Sequence, residues 1–394
     1  MMSRRTTFVL TAGLAVVLLW LLAGCTVADQ RHRAEDPDSG LRASSAGNGS
    51  GGGERHTEIS NGKIAFIRHS DIYVMNSDGT GQTNLTRTKV GVGGCVWSPN
   101  GKQIALVATR SAGEHFLDIF VTNADSTGET NLTRTKASTE AAPSWSPDSK
   151  KITYLSGSDA SGELFTDIYV TNSDGTSQTR LIKARDTKYF EGGLESPEWS
   201  PDGEKIAFIR TTRVVPDESA PSSAAPATGP SGLYTINPNG TALRKLSKEM
   251  SYAQSPLWSP DGKQIAFSGP EQKVYVVNAN GTRLRELLPN VGASYIDSYA
   301  WSPNGKEIAF TTVNHRGELD IYMIIADGTG QTNLTSTRDS IEDEVSWSSD
   351  GKKIAFTRGD VGDVYGDQGV YVMDADGTGQ KRLANNASSP SFAP

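Results

Sequence analysis

Carboxylates and tyrosines crowd into a few short stretches of this chain, and these residue types suit recognition chemistry. The candidate ligand-binding residues are Tyr189, Glu195 and Glu198 within residues 189–198, then Tyr252, then Tyr295, Asp297 and Tyr299, then Glu342, Asp343 and Glu344 within residues 339–344. Carboxylates draw in cations, and tyrosine rings stack on sugars or on cationic groups. Such a set suits a basic peptide, a cation or a glycan. The competing reading is a solvated acidic surface that keeps the protein soluble.

Other chemistries find less support. No Gly-x-Ser-x-Gly turn is present, and no histidine stands where it would pair with a nucleophile. His69 and His115, the latter beside Glu114, follow corresponding apolar runs of adjacent sequence units and could form a metal pair; loop histidines without a ligand role are the commoner case. His315 belongs to a distant unit. Asn76-Ser77-Asp78-Gly79 and Asp374-Ala375-Asp376-Gly377 look like half of a calcium loop, but no Glu follows at the twelfth place. Neither a metal nor a cofactor is expected.

The 394 residues carry 38 Lys plus Arg against 45 Asp plus Glu, a net charge of −7. An acidic chain without a dense basic block is poorly suited to neutralise phosphates, so nucleic acid is not an expected partner. Two cysteines cannot make a four-Cys zinc site or a disulfide framework.

Met1 to Arg5 is a short basic start, and Thr6 to Leu22 is an uncharged apolar run. Together they read as a secretory signal over residues 1–24. The run ends in Leu22-Ala23-Gly24-Cys25, which resembles the lipobox of bacterial lipoproteins. That resemblance implies lipidation of Cys25 and a membrane partner on the extracytoplasmic side. Cys95 would then be the sole thiol, expected to be buried. Residues 26–60 lack an apolar pattern and include the Gly/Ser/Asn run 47–53, so 25–60 reads as a lipidated cysteine followed by a flexible tether.

Beyond the tether the chain repeats. Trp-Ser-Pro occurs at Trp97, Trp145, Trp199, Trp258 and Trp301, with Trp-Ser-Ser at Trp347. Each is followed by an Asn-Gly, Asp-Gly or Asp-Ser turn, an apolar triplet such as Ile206-Ala207-Phe208, a second triplet such as Ile168-Tyr169-Val170, and a turn such as Asn172-Ser173-Asp174-Gly175. Tight turns between runs of period two predict four antiparallel strands per unit and almost no helix. The recurring Trp residues are expected to fill space between units. Asp71, Asp118, Asp167 and Asp320, each before a second triplet, are expected to bond local backbone within their own unit.

The turn-plus-triplet element occurs seven times and the Trp element only six. The missing copy stands at the carboxyl end, where Ser389-Pro390-Ser391-Phe392-Ala393-Pro394 matches Ala142-Pro143-Ser144-Trp145-Ser146-Pro147, with Phe for Trp and Ala for Ser. The last strand should therefore complete the first sheet and close a ring, leaving no open sheet edges at its ends. The reading is all-β: a seven-bladed β-propeller over 61–394, with a Pro/Ala/Ser-rich loop insertion at 211–231 between the second and third strands of blade 4.

The pattern Trp-Ser-Pro-Asp-Gly-Lys-x-Ile-Ala-Phe, then Asp-Ile-Tyr-Val, then Asp-Gly-Thr, resembles the TolB-type β-propeller repeat. The resemblance covers 61–394. It implies that the segments entering the Trp strands, where the acidic and aromatic candidates fall, lie beside a central channel. The periplasmic TolB propeller has six blades and a preceding α/β domain; here there are seven copies and a tether. Prolyl-oligopeptidase-like enzymes use similar repeats beside a hydrolase domain. The expected function is a monomeric, lipid-anchored envelope module that binds a polypeptide or glycan at the channel mouth without catalysis. Alternatives are a propeller lyase or hydrolase with a metal or carboxylate site in the channel, and an extracytoplasmic sensor.

Overall fold

In the computed structural model, the described residues are 62–86, 92–109, 116–135, 138–157, 166–184, 193–214, 227–250, 253–287, 296–360 and 368–394. Cys25 and the whole of 1–61 therefore lie outside them. The described chain folds as seven four-stranded antiparallel sheets. Blade 1 runs from the centre outward as Ala387–Phe392, Lys63–Arg68, Asp71–Asn76 and Thr83–Asn84. Blades 2 to 7 repeat this order, with inner strands Val92–Trp97, Thr139–Trp145, Leu194–Trp199, Gln254–Trp258, Ile296–Trp301 and Ser340–Trp347. The one helical turn among the described residues is the 3-10 segment Pro270–Gln272.

The ring closes as the split repeat requires. Phe392 pairs with Ile64, Ser391 with Ala65, and Ala387 with Arg68. Each pair of neighbouring blades encloses its own core, seven in all, including one between blades 7 and 1 built on Ile64, Phe66, Met75, Val370 and Phe392. The Ile-Ala-Phe triplets supply these cores. Ile64, Ala65 and Phe66 are wholly buried, as are Ile354, Ala355 and Phe356. Six blades stack the aromatic of the second strand on a tyrosine of the third, from Phe66 on Tyr73 at 5.6 Å to Phe356 on Tyr371 at 5.7 Å. Such pairs add about 0.5–1.5 kcal/mol each beyond the area they bury.

The Trp residues bridge blades by more than packing. Trp97, Trp145, Trp258 and Trp301 each donate from Nε1 to a carbonyl on the preceding blade, that of Ser391, Val96, Glu198 and Leu257 respectively. The acceptor is always the residue just before the preceding blade's own aromatic. A hydrogen bond that spans two sheets ties ring geometry to the repeat.

Every inner strand also carries a bulge. In six blades the residue three before the aromatic has positive φ: Gly94, Ala142, Ser196, Ser255, Glu344 and Ser389. Five of these are not glycine, and each such conformation costs about 1 kcal/mol or more. The return is a re-aimed strand start.

Antiparallel order puts the two kinds of connection at opposite faces. One face holds the Ser-Pro-Asp-Gly and Asn-x-Asp-Gly-Thr hairpins. In the second kind the aspartate accepts both the amide and the hydroxyl of the following threonine, as Asp78 does from Thr80 at 2.9 and 2.6 Å. The half-calcium-loop residues thus serve their own turn. The other face holds the links from second to third strand and from each blade to the next. They are uneven: His69-Ser70 is a two-residue turn, whereas blade 4 has a long hairpin. There the expected loop at 211–231 is shorter than the composition suggested. Strands Ile206–Val214 and Ala227–Ile236 continue into it, pairing Thr211 with Ser231 and Val214 with Ala227.

Candidate functional site

The acidic candidates sit on inner strands rather than in the loops that enter them. Glu195 and Glu198 lie on Leu194–Trp199, Asp297 and Tyr299 on Ile296–Trp301, and Glu342, Asp343 and Glu344 on Ser340–Trp347. The bulge lies within or beside these positions and turns neighbouring side chains to different blades. Tyr189, Tyr252 and Tyr295 lie outside the described residues, and so does His115. For Asp297 only the backbone is described.

Most of these groups are engaged with the ring itself. Glu198 Oε2 accepts from Ser144 Oγ of blade 3 at 2.9 Å. Burial lifts its pKa to about 7, against the pull of that hydroxyl. Glu195 Oε1 accepts from Thr211 Oγ1 of its own blade at 3.0 Å, and burial raises its pKa as well. Tyr299 donates its phenol to the Ser255 carbonyl of blade 5, and burial raises its pKa. Asp343 Oδ1 accepts the Glu344 amide at 2.6 Å and lies 3.4 Å from Thr311 Oγ1 of blade 6.

Glu344 clamps the closing seam. Its Oε1 accepts from Ser389 Oγ at 2.7 Å, and its Oε2 accepts from the Ser389 amide and from Thr357 Oγ1, both at 2.6 Å. Beside it the Phe392 amide donates to Ser346 Oγ at 3.0 Å. The closing strand is held by side chains from blade 7 as well as by its ladder with blade 1.

Glu342 is different in kind. It is fully buried, and Arg358 donates to it from Nε at 2.8 Å. Burial raises its pKa; Thr337 and Arg358 oppose the rise. Asp320, also fully buried on the third strand of blade 6, lies across the seam and repels its charge. Asn314 and Asn333 donate to Asp320 Oδ2 at 2.9 and 2.7 Å.

The same constellation stands between blades 2 and 3, and the sequence reading passed over it. Asp118 is the counterpart of Asp320, and Glu140 that of Glu342; both are fully buried. A signal was present: 22 residues separate the members of each pair. The pairing register shows what differs. Glu342 stands opposite Arg358, and Glu140 stands opposite Ser156, which donates to it at 3.0 Å.

The four repeated aspartates bond chiefly within their own blades, largely to side chains of the outer strand rather than to backbone, and Asp118 also meets Glu140 of blade 3 across the seam. Asp71 accepts from Asn84 and Thr86, and Asp118 from Asn131 and Thr133. Backbone partners also occur: the Thr135 amide on Asp118 and the Ala184 amide on Asp167. Cys95, half-buried on the inner strand of blade 2, packs against the core shared with blade 1, and desolvation of its thiol pushes the pKa up to about 12. Among the described residues, no three His, Cys, Asp or Glu side chains converge to hold a metal ion.

The architecture defines a class, the closed seven-bladed propeller of four-stranded blades. Residues 62–217 match the TolB beta propeller domain family. A 75-residue stretch is 33% identical to the Tol-Pal system protein TolB of Alcanivorax borkumensis, covering 19% of this chain and only 14% of that protein. Two solved structures share the fold. TolB from Acinetobacter baumannii has a TM-score of 0.51 at 15% identity, covering 84% of this chain and 82% of that one. An oligogalacturonate lyase from Vibrio parahaemolyticus has a TM-score of 0.57 at 13% identity, covering 83% and 85%. At such identities the likeness is one of fold.

Proposed function

We propose that this chain is a lipid-anchored protein of the cell envelope, held through Cys25, whose propeller binds a polypeptide or glycan on its uneven face and carries out no covalent chemistry. The observation that supports it best is the contrast between faces. One face is built from near-identical hairpins whose polar groups are used internally. The other combines the extended blade 4 hairpin with the acidic starts of the inner strands of blades 4, 6 and 7. Function on repeat folds sits where the repeat is broken.

The TolB-type repeat adds support, since its relatives include a Tol-Pal system protein. The test compares chains expressed in cells by in-cell crosslinking. Replacing 215–226 by a short turn together with Glu195→Gln should abolish the crosslinked partner band, whereas Asp78→Ala with Asp376→Ala on the opposite face should keep it. Equal bands from both would reject the assignment of the face. For the anchor, Cys25→Ser should move the protein from the membrane to the soluble fraction; retention in the membrane would reject lipidation.

A further inference from the structure

Thr135 Oγ1 stands between the two buried carboxyls of blades 2 and 3. It lies 3.0 Å from Asp118 Oδ1 and 2.8 Å from Glu140 Oε2, with the Ser138 carbonyl at 3.3 Å. A hydroxyl has one proton to give. It cannot donate to both carboxyl oxygens at once, so a proton on one of them is what makes both contacts hydrogen bonds. The other bonds indicate which. Asp118 accepts throughout: Asn131 Nδ2 at 2.7 Å on Oδ2, and Thr133 Oγ1 and the Thr135 amide at 3.2 Å on Oδ1. Glu140 Oε1 accepts from Ser138 Oγ at 2.6 Å and Ser156 Oγ at 3.0 Å, which leaves Oε2 facing Thr135. The consistent assignment is a proton on Glu140 Oε2, donated to Thr135 Oγ1, whose own proton goes to Asp118 Oδ1.

We infer that this proton is a pH-sensitive latch between blades 2 and 3: while Glu140 holds it the seam is bridged by a continuous hydrogen-bond chain, and its loss puts two buried anions across the interface and loosens the seam. The surroundings fit. Among the described residues, the titratable groups facing Glu140 are Asp118 from blade 2, whose carboxyl also bonds it directly and favours its protonated form, and Tyr154 from the second strand of blade 3, which stacks on Tyr169 at 5.6 Å. Burial and the charge of Glu140 both raise the Tyr154 phenol, so it stays neutral across the range that matters. Thr135, Ser138 and Ser156 supply neutral hydroxyls. Burial pushes Glu140 up to about 7, so the latch would open near neutral pH.

The test is amide hydrogen exchange on the full-length chain, comparing peptides at the 2–3 seam with peptides at the 6–7 seam. Wild type and Glu140→Gln are measured at about pH 5 and about pH 8.5. The glutamine is uncharged and keeps a donor toward Thr135, so it holds the latch shut at both values. At the lower pH the two proteins should exchange alike. At the higher pH wild type should exchange about tenfold faster than the variant at the 2–3 seam, with the 6–7 seam unchanged. Ser156→Arg, which brings in the cation present at the other seam, should remove the pH effect by itself and serves if Glu140→Gln does not fold. Equal exchange of wild type and variant at the higher pH would overturn the inference, as would a uniform loosening of all seams.

Discussion

The seam between blades 2 and 3 and the seam between blades 6 and 7 start from the same parts and neutralise them differently. Both bury an aspartate from a third strand against a glutamate from the next inner strand. At the 6–7 seam Arg358 supplies the compensating charge, and its guanidinium also lies over Phe356 and Tyr371 at 5.2 and 4.8 Å. At the 2–3 seam Ser156 occupies that place and brings no charge, and the proton inferred above on Glu140 takes the part that Arg358 plays. A single position on the second strand thus decides whether a buried acid pair is locked by an ion pair or left to titrate. The repeat scaffold tolerates both, because each blade contacts chiefly its neighbours.

The largest effect should come from removing the cation. Arg358→Ala leaves Glu342 buried without its partner, which typically costs about 3–5 kcal/mol. Urea unfolding at neutral pH should show it, and Glu342→Gln in the same chain should recover much of the loss. If the single variant is as stable as wild type, the two seams are not distinguished by charge compensation.

The next effect is pH-dependent. Glu140 is raised in the folded state to about 7 from an ordinary 4.5. Between those values the native protein holds a proton that the unfolded chain has released, so this group's contribution is full at low pH and is lost as pH rises through about 7. Glu140→Gln should therefore match wild type near pH 4.5 and exceed it by about 1–3 kcal/mol near pH 8. Glu198, also lifted to about 7, adds a slope of the same sign, so the variant should reduce the pH dependence of melting without abolishing it. A wild-type chain that gains stability from pH 5 to 8 would contradict both assignments.

How much of this could be read in the chain beforehand follows from where each cause lies. A blade carries its own turn, triplets and aromatic within one repeat, so strand order, blade number and the closing role of Phe392 were legible from local patterns. The use made of Glu198 and Glu344 was not, because Ser144 and Ser389 belong to neighbouring blades and lie 54 and 45 residues away. Composition alone made these residues look like a free acidic rim. The Asp118–Glu140 pair fell between two legible patterns: the aspartate was noticed as a repeat feature, and the glutamate, alone in its strand, was not. Only register shows Ser156 where blade 7 has Arg358.

A smaller effect sharpens the assignment of the bridging hydroxyl. Thr135→Val keeps the shape and removes the hydroxyl that touches both Asp118 and Glu140. It should cost about 1–3 kcal/mol near pH 5, where the proton chain is complete. Near pH 8 the cost should shrink, since the chain is already broken in wild type. An equal cost at both pH values would mean that Thr135 acts by packing alone.

The smallest effect is a control built into the repeat. Asp125 of blade 2 and Asp327 of blade 6 occupy the same exposed hairpin, and each accepts the amide and hydroxyl of the following threonine, at 3.0 and 2.6 Å for Asp125 and 2.9 and 2.6 Å for Asp327. Those bonds lower both pKa values, so what the two carboxylates contribute is present above the ordinary carboxylate range and is lost as pH falls through it, the reverse of Glu140. Asp125→Ala and Asp327→Ala should therefore destabilise slightly, by less than any substitution above, and by the same amount as each other. Thermal melting near pH 7 and near pH 3 checks this, with the difference from wild type smaller at the lower value. If the two changes differ strongly, blades 2 and 6 are not equivalent frames, and the contrast between their seams has a source other than Ser156 and Arg358.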